Sequence, residues 1–299
     1  MLDKKIFLEK YSLQKTFSDS QLKWDDLAEI YDDYVGEKTK LDKCRKELEE
    51  YLKDQMDVSY HSIRGRVKDP EHLLEKIIRK RGREQSSKYR EINGGNYKNI
   101  IHDMIGIRIL VLAKEDWRDV FKALINCFPD KKDGEIYMAE PPVAYTRYGD
   151  RDIFGDLIRK EHSNKGYRSQ HYIVYFKGYY CEIQVRTLME EVYGEFDHKV
   201  KYPYREDNKF LLRYTKTVSQ LLGAADEILS TCFQMKEKGW DECNQYFEED
   251  SYADWMKISQ KREVQREKKN RIPEIKAGEK IEADTYAKDM IMRRRADHE

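Results

Sequence analysis

The chain has 299 residues, with 57 Lys plus Arg balanced by 57 Asp plus Glu, and 22 tyrosines. Zero net charge excludes a general nucleic-acid coat while leaving local basic patches open, and so many aromatic rings exclude disorder throughout. No run of eighteen apolar residues exists to cross a membrane, and the charged start MLDKKIFLEK is no signal peptide. Cys44, Cys127, Cys181, Cys232 and Cys243 are odd in number and form no CxxC pair, which predicts a reduced, cytoplasmic protein.

In chain order, Trp24, Leu27, Ala28, Tyr31, Tyr34 and Val35 recur at helical spacing, with Ser18 or Ser20 as N-cap and Gly36 as a stop. Leu41, Cys44, Leu48, Tyr51 and Leu52 predict a second helix. YHSIRGRVKD (60–69) reads as an extended segment, and Pro70 opens a helix carrying Leu73, Leu74, Ile77 and Ile78, with Lys76 off that stripe. The stretch 79–97 reads as a loop around a short helix. DMIGIRILVLA (103–113) predicts a central strand, followed by a helix on Trp117, Val120, Phe121, Leu124 and Ile125. Residues 130–164 read as loops with a short strand near 135–138.

KGYRSQHYIVYFKGYYCEIQVR (165–186) predicts two strands joined by a tight turn. Its second strand sets Glu182, Gln184 and Arg186 on one face and Cys181, Ile183 and Val185 on the other, so Cys181 is expected in the core. Met189, Val192, Tyr193, Phe196 and Val200 form a helical stripe ending before Pro203. A long helix on Leu211, Val218, Leu222, Ala225, Leu229 and Cys232 is expected to close the core with that apolar seam. Beyond Trp240 the chain is mostly charged, with a basic run at 261–271 and a last segment ending in Arg293, Arg294 and Arg295.

Four polar clusters stand among these elements: Arg64, Arg66, Lys68 and Lys76; Asp103 with Arg108; Lys165, Tyr167, Arg168 and His171; and Glu182, Gln184 and Arg186 followed by Asp197, His198 and Lys199. Each alone is ordinarily a solvated face. Together they have a chemical logic. Two carboxylates on neighbouring strands can share Mg²⁺, which takes one or two carboxylates plus phosphate oxygens. The cations around them can hold a polyphosphate, arginine can also stack on a base, and Tyr167 offers a flat ring for a second base. His102–Asp103 leads into a strand and lacks the distant ligands of a metal phosphohydrolase, and no GxxxxGK[ST], GxSxG or HExxH occurs.

The motifs RVKDPEHLLEKI, DMIGIRI, GYRSQH, EIQVRT and DHKVKY, in this order and spacing, resemble the synthetase domain of the RelA/SpoT alarmone synthetases. The resemblance implies an α+β fold, a mixed sheet of about five strands flanked by helices and related to polymerase-β-like nucleotidyltransferases. It implies domains at 1–58 (helical extension), 59–205 (synthetase core) and 206–299 (charged helical extension). The implied reaction is transfer of pyrophosphate from ATP to the 3′ hydroxyl of GDP or GTP, with Mg²⁺ as cofactor. Arg66 and Arg108 match the arginines that sandwich adenine, and Lys68 and Lys76 those that hold the ATP phosphates. Asp103 and Glu182 match the magnesium carboxylates, Glu182 also being placed to accept the proton of the hydroxyl. Tyr167 matches the tyrosine that stacks on guanine, and Lys165, Arg168, His171, Gln184, Arg186 and His198 are expected on the acceptor side.

Three positions depart from that pattern: Ser163 stands where many members have lysine, with Lys165 the nearest substitute, Gln170 precedes His171, and Asp197 replaces a frequent glutamate. The first bears on the acceptor. A toxic member that acts on the 3′ end of tRNA or makes the adenosine analogue, with an antitoxin as partner, is the alternative expectation, followed by a non-catalytic nucleotide-binding module. The helical extensions are expected to suit a homo-oligomer.

Overall fold

The computed structural model describes residues 2–130, 134–147, 149–200 and 208–238. The chain divides into two units, 1–237 and 238–299, and the first is described below; the basic run at 261–271 and the arginine-rich end lie outside the described residues.

Three helices lead: α1 (Lys4–Lys10), α2 (Gln14–Ser20) and α3 (Trp24–Gln55). Strand β1 (Ser62–Val67), helices α4 (Pro70–Gly82) and α5 (Tyr97–Ile100), strand β2 (Ile105–Val111) and helix α6 (Trp117–Cys127) follow. Then come β3 (Ile136–Met138), β4 (Val143–Arg147), β5 (Arg159–Ser163), β6 (Ser169–Phe176) and β7 (Tyr179–Thr187), and helices α7 (Leu188–Val200) and α8 (Lys209–Lys238). The strands form one mixed sheet in the order β1-β2-β7-β6-β4-β5, with β3 beside β6; β2/β7 and β4/β5 are parallel and the other pairs antiparallel. The expected α+β class holds. Seven strands replace the expected five or so because β4 and β5 cross the stretch expected to be loop, and the mostly exposed β5, RKEHS, carries no apolar alternation to betray it.

One face of the sheet is the core. Ile105, Ile107 and Ile109 of β2, Cys181, Ile183 and Val185 of β7 and Tyr172, Val174 and Phe176 of β6 are buried there against α3, α4 and α6. Cys181 is fully buried, as its alternation predicted. Helix α3 runs unbroken for 32 residues through Gly36, where one helix was expected to stop and another to start. A glycine inside a helix costs about 1 kcal/mol. Burial of Leu27, Ile30, Tyr34, Leu41, Cys44, Leu48 and Leu52 along one stripe outweighs that. Its N-cap is Lys23, and Ser20 ends α2 instead. Where α3 crosses β1, side chains fill the space over Gly65: an added Cβ would meet Glu49 Oε1 and lie 2.7 Å from Ile107 Cδ1 and 2.8 Å from Arg45 Cγ.

Helix α4 starts as expected, with Pro70 in its first turn and the Asp69 carboxylate accepting from the Glu71 and His72 amides at 2.9 and 3.2 Å. The β6–β7 hairpin turns through Lys177 and Gly178, both at positive φ (46° and 98°), the geometry of a two-residue turn matched to strand twist.

Helix α8 departs most from expectation. Its buried line is Thr215, Ser219, Gly223, Asp226 and Ser230, polar or small throughout. The seam predicted to face the core, Leu211, Val218, Leu222, Ala225 and Leu229, is only half-buried along one flank, and Cys232 is exposed. The helix docks by hydrogen bonds and ion pairs to the sheet end rather than by an apolar stripe. Among the described residues no helix is long and apolar enough to cross a membrane.

Candidate active site

Strand register gathers the polar residues on the face opposite the core. Arg64 pairs with Arg108 and Arg66 with Gly106 across β1/β2; Gly106 pairs with Glu182, Arg108 with Gln184 and Leu110 with Arg186 across β2/β7; and His171 pairs with Gln184 across β6/β7. In-register neighbours point the same way, so Arg64, Arg66, Arg108, Glu182, Gln184, Arg186 and His171 share one surface. Between β1, β2, β7 and α7 lies a cleft of about 220 Å³ lined by Arg64, Arg66, Asp103, Arg108, Glu182, Gln184 and Glu191 among others.

Asp103 sits just before β2, beside the end of β1, where the Lys68 amide donates to the Met104 carbonyl at 2.9 Å. Its Oδ2 accepts from Lys68 Nζ and Lys76 Nζ, both at 2.8 Å, while Oδ1 is buried with no hydrogen-bond partner. Burial opposes ionisation of Asp103, but the Lys76 and Lys68 ammonium groups outweigh it and hold the carboxyl well below its usual range. Lys76 is held charged against its own burial, chiefly by Asp103. An orphaned carboxylate oxygen at this position is a vacant acceptor for a cation.

Glu182 belongs to a second network. His171 Nδ1 lies 3.1 Å from its Oε1, and Gln184 Nε2 donates to its Oε2 at 2.5 Å. Burial would raise the Glu182 pKa, but His171 lowers it to about 2. The same burial would lower that of His171, but Tyr167 and Glu182 raise it to about 9. A protonated ring donates from both nitrogens, one toward Glu182 and the other toward the Tyr167 hydroxyl, 2.8 Å away. That hydroxyl also accepts from Arg186 Nη2 at 2.5 Å, and His171 and Arg186 overcome burial to hold its pKa below the usual phenol value. Arg186 is fixed in turn by Ser169 Oγ (3.1 Å) and Glu191 Oε2 (2.9 Å). The other Glu191 oxygen accepts from Arg108 Nη1 at 2.6 Å, and Glu195 Oε1 from the same nitrogen at 2.5 Å. A continuous chain of polar contacts thus joins Arg108 to Glu182 through Glu191, Arg186, Tyr167 and His171.

The loop before β6 sets Tyr167. Ser163 Oγ accepts from the Lys165 amide at 3.3 Å and the Tyr167 amide at 3.2 Å, and Gly166 has φ +85°. Ser219 Oγ of α8 donates to the Gly166 carbonyl at 2.8 Å, and the Ser219 carbonyl accepts from Arg147 Nη1 at 2.7 Å. Tyr145 packs edge-on against both Tyr167 and His171.

Asp103, Lys68, Lys76, Glu182, His171, Tyr167, Gln184, Arg186, Arg66 and Arg108 are therefore brought to one face, with Arg66 exposed at the mouth of the cleft. His198 lies on α7 with an exposed edge; the protein packed around the rest of its ring, and then Arg66 and Arg108, lower its pKa. Lys165 is exposed on the turn. Arg168 does not join them. It points to the opposite face, 4% exposed, where its Nη2 meets Asp226 Oδ2 at 2.8 Å and its Nη1 meets Glu190 Oε1 at 3.7 Å. Strand alternation is the cause, since Tyr167, Ser169 and His171 face one way and Arg168 and Gln170 the other.

Glu191, Glu195, Ser169, Tyr145 and Ser219 were not anticipated. Only Gly194 offered a signal: a Cβ there would lie 2.8 Å from Arg186 Nη1, so a glycine lets α7 approach the guanidinium. Among the described residues no cluster of three or more His, Cys, Asp or Glu forms a closed metal cage. Asp103 and Glu182, two carboxylates with lysines and arginines beside them, fit instead an ion such as Mg²⁺ that draws its remaining ligands from substrate oxygens and water.

The family described as "Region found in RelA / SpoT proteins" matches residues 65–207. Among solved structures, the small alarmone synthetase 1 from Bacillus subtilis is 21% identical, with a TM-score of 0.52 over 70% of this chain and 100% of that chain. The same protein bound to its product pppGpp matches at 22% identity, a TM-score of 0.48, and 65% and 93% coverage. A GTP pyrophosphokinase family protein from Streptococcus pneumoniae matches at 22%, 0.44, and 77% and 100%. The first of these supports the fold. No curated protein matches. Residues 65–207, a little under half of the chain, thus carry a region similar to that found in RelA/SpoT proteins.

Proposed function

We propose that the chain is a pyrophosphokinase that transfers the β,γ-pyrophosphate of ATP to the 3′ hydroxyl of GDP or GTP and releases AMP. The observation that carries this reading is the orphaned Oδ1 of Asp103, set among Lys68 and Lys76 and facing the same cleft as Glu182. Arg66 and Arg108 hold the adenine side, and Lys68 and Lys76 take the phosphates once substrate draws them from Asp103. Asp103 and Glu182 would hold Mg²⁺, which when bound neutralises charge on the transferring phosphates.

The acceptor 3′ oxygen attacks the β-phosphorus as the bond from that phosphorus to the α–β bridging oxygen breaks, and that oxygen leaves with AMP. The hydroxyl proton passes to Glu182. Held near pKa 2 by His171, Glu182 is a weak base, so most of the acceleration falls to positioning and to charge around the transferring group. Tyr167 presents the acceptor base, its hydroxyl pinned by Arg186 and His171.

Ser163 favours a second reading. Its hydroxyl shapes the turn where a lysine would offer a cation, which suits an acceptor without a 5′ polyphosphate, such as the 3′ end of tRNA. One assay decides between them: the full chain with labelled ATP and, separately, GDP, GTP, ADP or deacylated tRNA. Label on GDP or GTP, with AMP release cut on the order of a hundredfold or more in Asp103→Ala, is the expected result. Label on tRNA alone reverses the choice of acceptor. Undiminished AMP release in Asp103→Ala refutes the site.

A further inference from the structure

Helix α7 opens with two adjacent glutamates that serve opposite faces of the sheet. Glu190 lies 3.7 Å from Arg168 on the far side, whereas Glu191 turns toward the cleft. There its carboxylate is divided between two strands: Oε1 accepts from Arg108 Nη1 of β2 at 2.6 Å, and Oε2 accepts from Arg186 Nη1 of β7 at 2.9 Å. The Glu191, Arg108 and Arg186 side chains are 15, 20 and 5% exposed, so water competes little for these charge-assisted bonds.

Two neighbours on the same face of α7 are fitted to this reach. Gly194, at i+3, lacks the Cβ that would lie 2.8 Å from Arg186 Nη1. Glu195, at i+4, adds a second acceptor to Arg108 Nη1 at 2.5 Å. A guanidinium donates from its edge and stacks through its face. The two glutamates hold the edge of Arg108 and so set its plane, leaving stacking to its faces. Arg186 commits Nη1 to Glu191 and Nε to Ser169, and with these held its Nη2 meets the Tyr167 hydroxyl at 2.5 Å. Its central carbon then lies 5.1 Å from the centre of the Tyr167 ring. One carboxylate thus aims a flat cation on β2 and, through a second cation, the aromatic ring before β6.

We propose that Glu191 is a positioning residue shared by the donor and acceptor subsites, holding Arg108 for the adenine of ATP and, through Arg186, Tyr167 for the acceptor base. This role rests on the reaction proposed above. Because each carboxylate oxygen serves one arginine, a single side chain registers the two bases against each other, and its loss should loosen both. The neighbouring contacts are one-sided, Glu195 being bonded to Arg108 and Ser169 to Arg186.

Steady-state kinetics with each substrate varied in turn, together with calorimetric binding of a non-hydrolysable ATP analogue, test this on the full chain. Glu191→Ala should raise KM for ATP and KM for the acceptor each on the order of tenfold and weaken the analogue to a like extent. Glu195→Gln should raise chiefly KM for ATP, and Ser169→Ala chiefly that for the acceptor. A merely structural loosening would lower turnover in all three without that split. Should the alanine variant fail to fold, Glu191→Gln keeps the side chain's size; its amide nitrogen cannot accept from a guanidinium, so at least one KM should still rise. A wild-type chain that neither binds the analogue nor turns over any acceptor overturns the proposed reaction and this role together. An active wild type overturns the role of Glu191 alone if Glu191→Ala raises one KM or neither, if Glu191→Gln raises neither, or if all three variants show an unsplit loss.

Discussion

Replacing His171 by glutamine removes a buried positive charge while keeping hydrogen-bonding capacity, and its effect on stability should depend on pH in a defined direction. The ring's pKa rises from 6.5 to about 9 in the fold, because Tyr167 and Glu182 outweigh its burial. That displacement corresponds to about 3 kcal/mol of preference for the charged ring. The lowered pKa of Glu182 expresses the same pairing from the other side and is not added to it. A group whose folded pKa is raised contributes its full stability below its unfolded value, near pH 6.5, and loses it as pH rises through about 9. Glu182, lowered from 4.5 to about 2, contributes above 4.5 and loses its share as pH falls toward 2. The gap in unfolding free energy between wild type and His171→Gln should therefore be widest between about pH 4.5 and 6.5, near 3 kcal/mol, and most of it should vanish by about pH 10. Urea unfolding followed by circular dichroism at a series of pH values measures the gap, and imidazole proton NMR measures the ring's titration. A gap that stays flat from pH 6 to 10, or a His171 that titrates near 6.5, refutes the reasoning.

Two further substitutions probe how the site is held. Gly65→Ala should destabilise the chain by about 1–3 kcal/mol in urea melts, since the new methyl would meet Ile107 Cδ1 and Arg45 Cγ inside contact distance. Asp226→Asn should cost about 3 kcal/mol by removing the carboxylate nearest the buried Arg168 guanidinium. Thermal melts should show Arg168→Met/Asp226→Leu recovering much of that loss, and equal instability in the double variant counts against a charge effect.

How much was legible depended on whether packing or polarity fixed the element. Strands β2, β6 and β7 could be read because one or both faces are apolar, and alternation along β7 assigned Glu182, Gln184 and Arg186 to one side and Cys181 to the other. The same alternation would have removed Arg168 from the acceptor group, had strand parity rather than nearness to Tyr167 been followed. Gly36 misled because a local helix breaker cannot register the long-range burial of Tyr34 and Leu41 on either side of it. Strand β5 was hidden because its exposed side chains carry no apolar alternation, and the docking face of α8 because its inward residues meet Gly166, Lys114 and Arg168 through polar contacts rather than through apolar periodicity. Glu191 could not be foreseen, since its role exists only once α7 folds back over β2 and β7.

The grip of α8 on the turn before β6 also sets an order of events during synthesis. Ser219 lies 53 residues beyond the carbonyl it holds, and Asp226, which holds Arg168, is later still. At about 5–20 residues per second the ribosome delivers those supports several seconds after Tyr167 itself. Strands β1, β2 and β7, with their cations and carboxylates, can assemble without them. A nascent chain therefore gains the strands of the proposed ATP side first and a steadied Tyr167 last, so on the proposed reading it completes the reaction only after α8 has left the ribosome.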